Sequence, residues 1–136
     1  MGAVVLDASV VLALLDPQDA LHEAATHALR QHRAEGARFV LPASVLAEVL
    51  VGVARRGDEE LEQRRSQIVA VFGPPVALDE RVAVSAARLR ARHRSLRLPD
   101  AIVLATAEVL DAQAVLTGDK RWDRIDSRVK LVHPTT

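Results

Sequence analysis

Short apolar runs alternate with longer amphipathic stretches along the whole chain. Val4-Val5-Leu6, Phe39-Val40-Leu41, Val76-Ala77-Leu78, Ala114-Val115-Leu116 and Val129-Lys130-Leu131-Val132 are too short for helices and rich in β-branched residues. They predict five strands. Between them lie segments with helical spacing. Residues 10–15 predict a short helix that stops near Asp16-Pro17. A second helix is expected from Pro17, with Asp16 as its cap, to about residue 35. Leu21, Ala24, Ala25, Ala28 and Leu29 form its apolar stripe, and Gly36 ends it. Residues 43–56 predict a third, with Val45, Leu46, Val49, Leu50 and Val53 inward. Asp58 is expected to cap a fourth, which has Leu61, Ile68 and Phe72 inward and Gly73 as its stop. Pro74-Pro75 forces an extended entry into the third strand, and Asp79 caps a fifth helix bearing Val82, Ala86, Leu89 and His93 on one side. Pro99 opens a sixth, apolar almost all round from 101 to 107 except at Thr106, which predicts burial on several sides. Residues 120–125 read as a short helical turn. This alternation of strand and helix argues for an α/β fold, a parallel sheet covered on both faces.

Composition narrows the picture. A chain of 136 residues is expected to be one domain spanning 1–136, burying about two-thirds of its unfolded surface. Hydrophobic residues make up 49% but aromatics only 2%, so the core must be aliphatic. No stretch of 18 or so apolar residues is free of charge, so no membrane span is expected. The amino end lacks the basic start of a signal peptide and Asp7 breaks its apolar run, which reads as mature sequence. Absence of cysteine removes disulfides and thiolate metal sites and suits a reducing cytoplasm.

The formal net charge is zero, so no global basic field marks a nucleic-acid binder. The charges are nonetheless uneven. Arg81, Arg88, Arg90, Arg92, Arg94 and Arg97 follow one another with no acid between them, and Lys120, Arg121, Arg124, Arg128 and Lys130 cluster near the end. Either run alone reads as a solvated face. His22, His27 and His32 recur every five residues, which walks them around a helix toward solvent instead of gathering them for a metal.

Four acids carry the candidate chemistry. Asp7 ends the first strand and Asp119 closely follows the fourth, so both would open into one crevice if those strands were neighbours where the strand order reverses. Asp7 also suits a helix N-cap. Glu48 lies beside the apolar stripe of the third helix, where a lone carboxylate is costly unless paired or bound to a cation; it could instead point just off the stripe into water. Asp100 stands in the first turn of a buried helix, where the helix dipole alone favours an anion. Four carboxylates in one pocket tolerate neutral pH only with protonation or a bound cation. Oxygen-only ligands suit Mg²⁺ or Mn²⁺.

Four segments, Val5-Leu6-Asp7-Ala8-Ser9, Ala43-Ser44-Val45-Leu46-Ala47-Glu48-Val49, Leu98-Pro99-Asp100-Ala101 and Leu116-Thr117-Gly118-Asp119, occur in an order that resembles the PIN-domain ribonucleases, specifically VapC-like toxins of toxin–antitoxin pairs. The resemblance covers nearly the whole chain. It implies a single PIN-like domain with a five-stranded parallel sheet in the order 3-2-1-4-5. It implies an acidic Mg²⁺ or Mn²⁺ site of Asp7, Glu48, Asp100 and Asp119, supported by the hydroxyls of Ser9 and Thr117, with Asp123 as an additional acid. Trp122 stands where relatives commonly have Phe. The implied activity is hydrolysis of an RNA phosphodiester by water, without a covalent enzyme intermediate. On that reading Arg88, Arg92, Arg94, Arg97, Lys120 and Arg121 become candidate phosphate contacts, and base stacking contributes little for want of aromatics. The resemblance further implies a VapB-like antitoxin that blocks the cleft and a homodimer, for which residues 46–53 and 61–72 are candidate surfaces.

Two rivals share parts of the pattern. A haloacid-dehalogenase-like phosphatase would carry a second Asp two residues after Asp7, where this chain has Ser9. A receiver-type signalling domain would need an acidic pair after the first strand and a phosphorylated Asp after the third; Asp7 is single, and Asp79-Glu80 reads as a helix cap. No Gly-x-x-x-x-Gly-Lys loop or Gly-x-Gly-x-x-Gly fingerprint occurs.

Overall fold

Every residue of the first strand, β1 (Ala3–Leu6), is buried. The same holds for β3 (Ala114–Thr117). Successive strand side chains point to opposite faces, so two fully buried strands require helices on both sides of the sheet. The computed structural model describes residues 2–134. Met1, Thr135 and Thr136, the ends of the domain expected over 1–136, lie outside the described residues.

The sheet is parallel throughout. Its order is β2 (Arg38–Val40), β1, β3, β4 (Val129–Leu131). Val5 pairs with Val40 on one side and Val115 on the other. Leu6 pairs with Leu116, so the chain reaches Asp7 and Thr117 side by side. Strand order reverses at β1, between β2 and β3, which places a crevice at the carboxyl ends of β1 and β3.

The expected third strand is not formed. Val76 makes one parallel bridge to Pro42, giving its N–H to the Leu41 carbonyl at 2.8 Å and accepting from the Ala43 N–H at 2.8 Å. The ladder stops there because Pro42, Pro74 and Pro75 have no N–H to offer, and Leu78 is left half exposed. The sheet therefore has four strands, and the remaining order agrees with the expected one.

The helices are α1 (Ala8–Leu15), α2 (His22–Ala34), α3 (Ala43–Ala54), α4 (Asp58–Phe72), α5 (Glu80–Arg92) and α6 (Leu98–Val109), with a 3₁₀ turn at Lys120–Arg124. α1 starts two residues and α6 one residue earlier than expected, and two further starts differ in their caps. α2 begins at His22, not Pro17, because Asp16 and Asp19 satisfy the N–H groups of Gln18 and Leu21 locally, at 3.0 and 2.8 Å, and hold the chain in turns. In α4, Asp58 is the first helical residue and not the cap. Gly57, at φ 139°, makes the turn into it, and Asp58, Glu59 and Glu60 meet the positive end of the helix dipole. Asp79 does cap α5, accepting from the Val82 N–H at 3.0 Å.

The core is aliphatic apart from Phe39 and Trp122. α6 contributes Ala101, Val103, Leu104, Ala105, Thr106 and Ala107 to it, and Thr106 satisfies its hydroxyl on the Ile102 carbonyl at 2.8 Å. Trp122 is fully buried, and its indole N–H has no hydrogen-bond partner among the described residues. Of the three helical histidines only His27 faces solvent. His22 and His32 are half-buried, and His22 Nδ1 donates to the Ala13 carbonyl at 2.7 Å.

Candidate metal and active site

Asp7 is the fixed point of the site. It follows β1 directly and is buried. As the N-cap of α1, its Oδ1 accepts the Ala8 N–H at 2.8 Å. Oδ2 accepts two hydroxyls, Ser9 Oγ at 2.9 Å and Thr117 Oγ1 at 2.8 Å. The cap uses Oδ1, so Oδ2 is left for contacts outside the helix. The two hydroxyls are held in turn: the Gly118 N–H donates to Ser9 Oγ at 3.1 Å and the Asp119 N–H to Thr117 Oγ1 at 3.1 Å. The carboxyl ends of β1 and β3 are thereby stitched together through side chains.

Gly118 is a residue whose role the sequence pattern did not single out. A Cβ there would stand 2.8 Å from Leu21 Cδ1 and 3.5 Å from Ser9 Oγ, so a side chain would crowd the place where its backbone meets Ser9. The Thr-Gly-Asp run was the available signal.

Asp119 caps the 3₁₀ turn and is gripped by Arg121. Its Oδ1 accepts from the Arg121 backbone N–H at 2.9 Å and from Nε at 3.0 Å, and its Oδ2 from Nη2 at 2.7 Å. That guanidinium, first, and then the backbone bond hold the Asp119 carboxyl below the usual carboxylate range against the cost of burial. Arg121, expected as a phosphate contact, is therefore an ion-pair partner in the free protein.

Asp100 sits in the first turn of α6, largely buried, with Arg97 Nε 3.7 Å from its Oδ2. Burial pushes its carboxyl up, Arg97 pulls it down, and Asp7 and Asp119 push it up again. Glu48 lies on α3, whose amino end follows β2 at the same rim of the sheet. It is exposed beside the buried Val45, Val49 and Val53, so it points off the stripe. Partial burial still raises its carboxyl, with Asp7 and Asp100 adding to the rise and Arg97 opposing it. The three elements carrying Asp7, Glu48 and Asp100 thus face one another closely enough for their charges to interact.

As arranged, no three Asp, Glu or His side chains among the described residues form a group able to hold a metal ion. Both oxygens of Asp119 are turned to Arg121, and both of Asp7 are hydrogen-bonded. The donor chemistry nonetheless fits a hard divalent cation: oxygen donors only, with Glu48 and Asp100 both raised by the charge of neighbouring carboxylates.

The remaining candidates spread out. Asp123 is exposed on the 3₁₀ turn, outside the Asp7 hydrogen-bond network, and Lys120 is exposed at the start of that turn. Arg92 ends α5, and the Arg94 carbonyl accepts Arg90 Nη1 at 3.1 Å. Arg88 lines a separate surface depression of about 580 Å³ with Glu108. Glu108 lies eight residues along α6 from Asp100, about 12 Å of helix, so Arg88 serves a different part of the surface. Asp79 caps α5 through Oδ1, the role that its position before the helix predicted.

Comparison with solved structures gives close fold agreement. A toxin–antitoxin complex from Klebsiella pneumoniae aligns with TM-score 0.76 at 23% identity, covering 97% of this chain and 99% of that one. FitAB bound to an IR36 DNA fragment aligns with TM-score 0.76 at 27% identity, covering 94% of each chain. VapC20 of Mycobacterium tuberculosis, a toxin that cleaves the sarcin–ricin loop, aligns with TM-score 0.69 at 18% identity, covering 89% and 93%. Comparison with curated protein sequences finds no match. The family model of the PIN domain matches residues 4–128, and the chain therefore belongs to the PIN-domain family.

Proposed function

We propose that this PIN domain is a metal-dependent endoribonuclease, the toxin of a toxin–antitoxin pair, acting in the cytoplasm. The observation that carries the reading is the Asp7 carboxylate, held by Ser9 and Thr117 across two neighbouring strand ends, with Glu48 and Asp100 both close enough to feel its charge. The fold shared with VapC20 and with the Klebsiella pneumoniae toxin–antitoxin complex supports it. Among the described residues no helix is long and apolar enough to cross a membrane.

Asp7, Asp100, Asp119 and Glu48 would hold Mg²⁺ or Mn²⁺. The bound ion would supply Lewis-acid polarisation of a scissile phosphate and a more acidic water. Asp7 cannot swing, because both its oxygens are hydrogen-bonded, so it supplies a preorganised ligand. Glu48 and Asp100, with raised proton affinity, are the carboxylates able to orient a water and take its proton. Arg97, beside Asp100 at the start of α6, suits phosphate positioning, with Arg92 and Arg94 as further candidates in the connection that leads to it. Asp123 and Arg88 take no direct part in this scheme.

A VapB-like antitoxin and a second copy of the chain belong to the same proposal. Val51 on α3 and Val71 on α4 leave apolar surface exposed. An apolar groove of about 240 Å³ between α1, α2 and α4 is lined by Val11, Leu14, Leu29, Ile68 and Phe72, and that apolar lining suits an amphipathic antitoxin segment.

Sequencing RNA 5′ ends after brief expression of wild type beside Asp7→Asn tests the reading. New ends confined to the wild-type sample are expected. Identical profiles from the two would overturn it.

A further inference from the structure

Arg121 holds both oxygens of Asp119 through Nε and Nη2, while its side chain remains 66% exposed. The acid group as a whole has two guanidinium partners, Arg97 on Asp100 and Arg121 on Asp119. Four carboxylates and two guanidiniums leave a formal charge of minus two, which one divalent cation neutralises. Arginine does not lose its proton in a protein, so at neutral pH its charge competes directly with a cation for the carboxylate.

We infer that Arg121 is a built-in counter-ion: it holds Asp119 in the free protein, a divalent cation displaces it, and the freed guanidinium serves the RNA phosphate. The inference rests on the nuclease reading and adds a role for a residue outside the four acids. The pair closes over only two residues, so little chain entropy opposes it, and its fork geometry is bidentate. Exposure keeps it weak enough to be displaced. Arg121 therefore tunes metal affinity without blocking it, and metal and substrate phosphate are linked through one side chain. The structure also offers a clean variant. The turn is capped by the Arg121 backbone N–H on Asp119 Oδ1 at 2.9 Å, and that bond survives replacement of the side chain.

The test is Mn²⁺ titration by calorimetry at low salt on wild type, Arg121→Ala and Arg121→Lys, with thermal melts to confirm that each folds. Arg121→Ala is expected to bind Mn²⁺ about three- to tenfold more tightly, the range an exposed bidentate pair can supply. Arg121→Lys falls between the two. The gain shrinks as salt rises. At saturating Mn²⁺ the same Ala variant shows a KM for RNA raised several-fold with kcat little changed. In the wild type, the Arg121 Nε–H resonance shifts on adding Mg²⁺. Equal Mn²⁺ affinity in wild type and Arg121→Ala overturns the inference, and if the wild type still cleaves RNA the nuclease reading stands without it. Wild type that neither binds Mn²⁺ nor cleaves RNA removes both.

Discussion

Thr117 Oγ1 donates to Asp7 Oδ2 at 2.8 Å, joining two residues 110 positions apart at the ends of adjacent strands. Because Thr117 also accepts the Asp119 N–H, its hydroxyl relays the position of one acid to another. Thr117→Val keeps the shape and removes both bonds. We expect a loss of about 1–2 kcal/mol, roughly 3–7 °C in Tm, and a fall in RNA cleavage of at least tenfold. Thr117→Ser, which restores the hydroxyl, should recover most of the activity. Differential scanning calorimetry and a fluorogenic RNA assay measure both effects.

The acids themselves should separate chemistry from folding. Asp100→Asn and Glu48→Gln remove charges that their neighbours oppose. Each variant is expected to lose RNA cleavage by about a hundredfold or more while keeping its fold, with Tm equal to or a few degrees above that of the metal-free wild type. An undiminished rate in metal-stripped and reloaded Asp100→Asn would defeat the assignment.

Stability should depend on pH and metal together. Glu48 and Asp100 have folded-state proton affinities above their unfolded ones. The stability this gives is present below the ordinary carboxylate range and is lost as pH rises through the raised values. Asp119 runs the other way: its contribution is present above its ordinary value and lost as pH falls through the depressed one. Repulsion therefore weighs most at neutral pH in metal-free protein. Mg²⁺ at about ten times its Kd should add roughly 1.4 kcal/mol near pH 7, ~4–6 °C in Tm. The gain should shrink below about pH 5, where protons compete for the ligands. Melting curves with Mg²⁺ and with a chelator at several pH values measure this.

Gly118 tests how much room the strand junction has. Gly118→Ala places its Cβ against Leu21 Cδ1, the far end of a flexible side chain. That side chain can turn aside, so the expected cost is only about 1 kcal/mol. Gly118→Val crowds Ser9 as well and should cost more than twice as much, with cleavage lost in parallel. Equal melting temperatures for the two variants would contradict the packing described.

Trp122 offers a contrasting case. Its buried indole N–H is unpaired among the described residues, and Phe removes that group at the expense of volume. The two effects oppose each other, so Trp122→Phe should change stability by no more than about 1 kcal/mol. Trp122→Ala should cost about 3–5 kcal/mol. Urea unfolding separates these outcomes.

Much of the fold was legible because the signals were local. β1 and β3 coincide with fully buried apolar runs, β2 and β4 with the two other expected strands, and Asp79 capped its helix as its type and position suggested. The strand-then-acid pattern at Asp7 and Asp119 marked the rim where both residues stand. What sequence concealed was settled by competition among neighbours. Val76-Ala77-Leu78 has the composition of a strand, but prolines on both sides of the pairing withhold the donors. Pro17 suits a helix start, yet Asp16 and Asp19 satisfy the backbone first. Glu48 stood beside an apolar stripe with its orientation open, and the fold leaves it exposed. Arg121 read as a candidate phosphate contact in a basic cluster. Only the tight turn after Asp119 shows that its charge is already spoken for.

The proline-limited bridge between Pro42 and Val76 has a consequence for the protein in concentrated solution. A parallel sheet that ended on a bare β2 would offer a template on which another molecule's strand could grow. Here the Pro74-Pro75 segment lies where that strand would add, and it cannot extend the ladder itself. The same residues that keep the sheet at four strands thus guard that border against unwanted polymerisation.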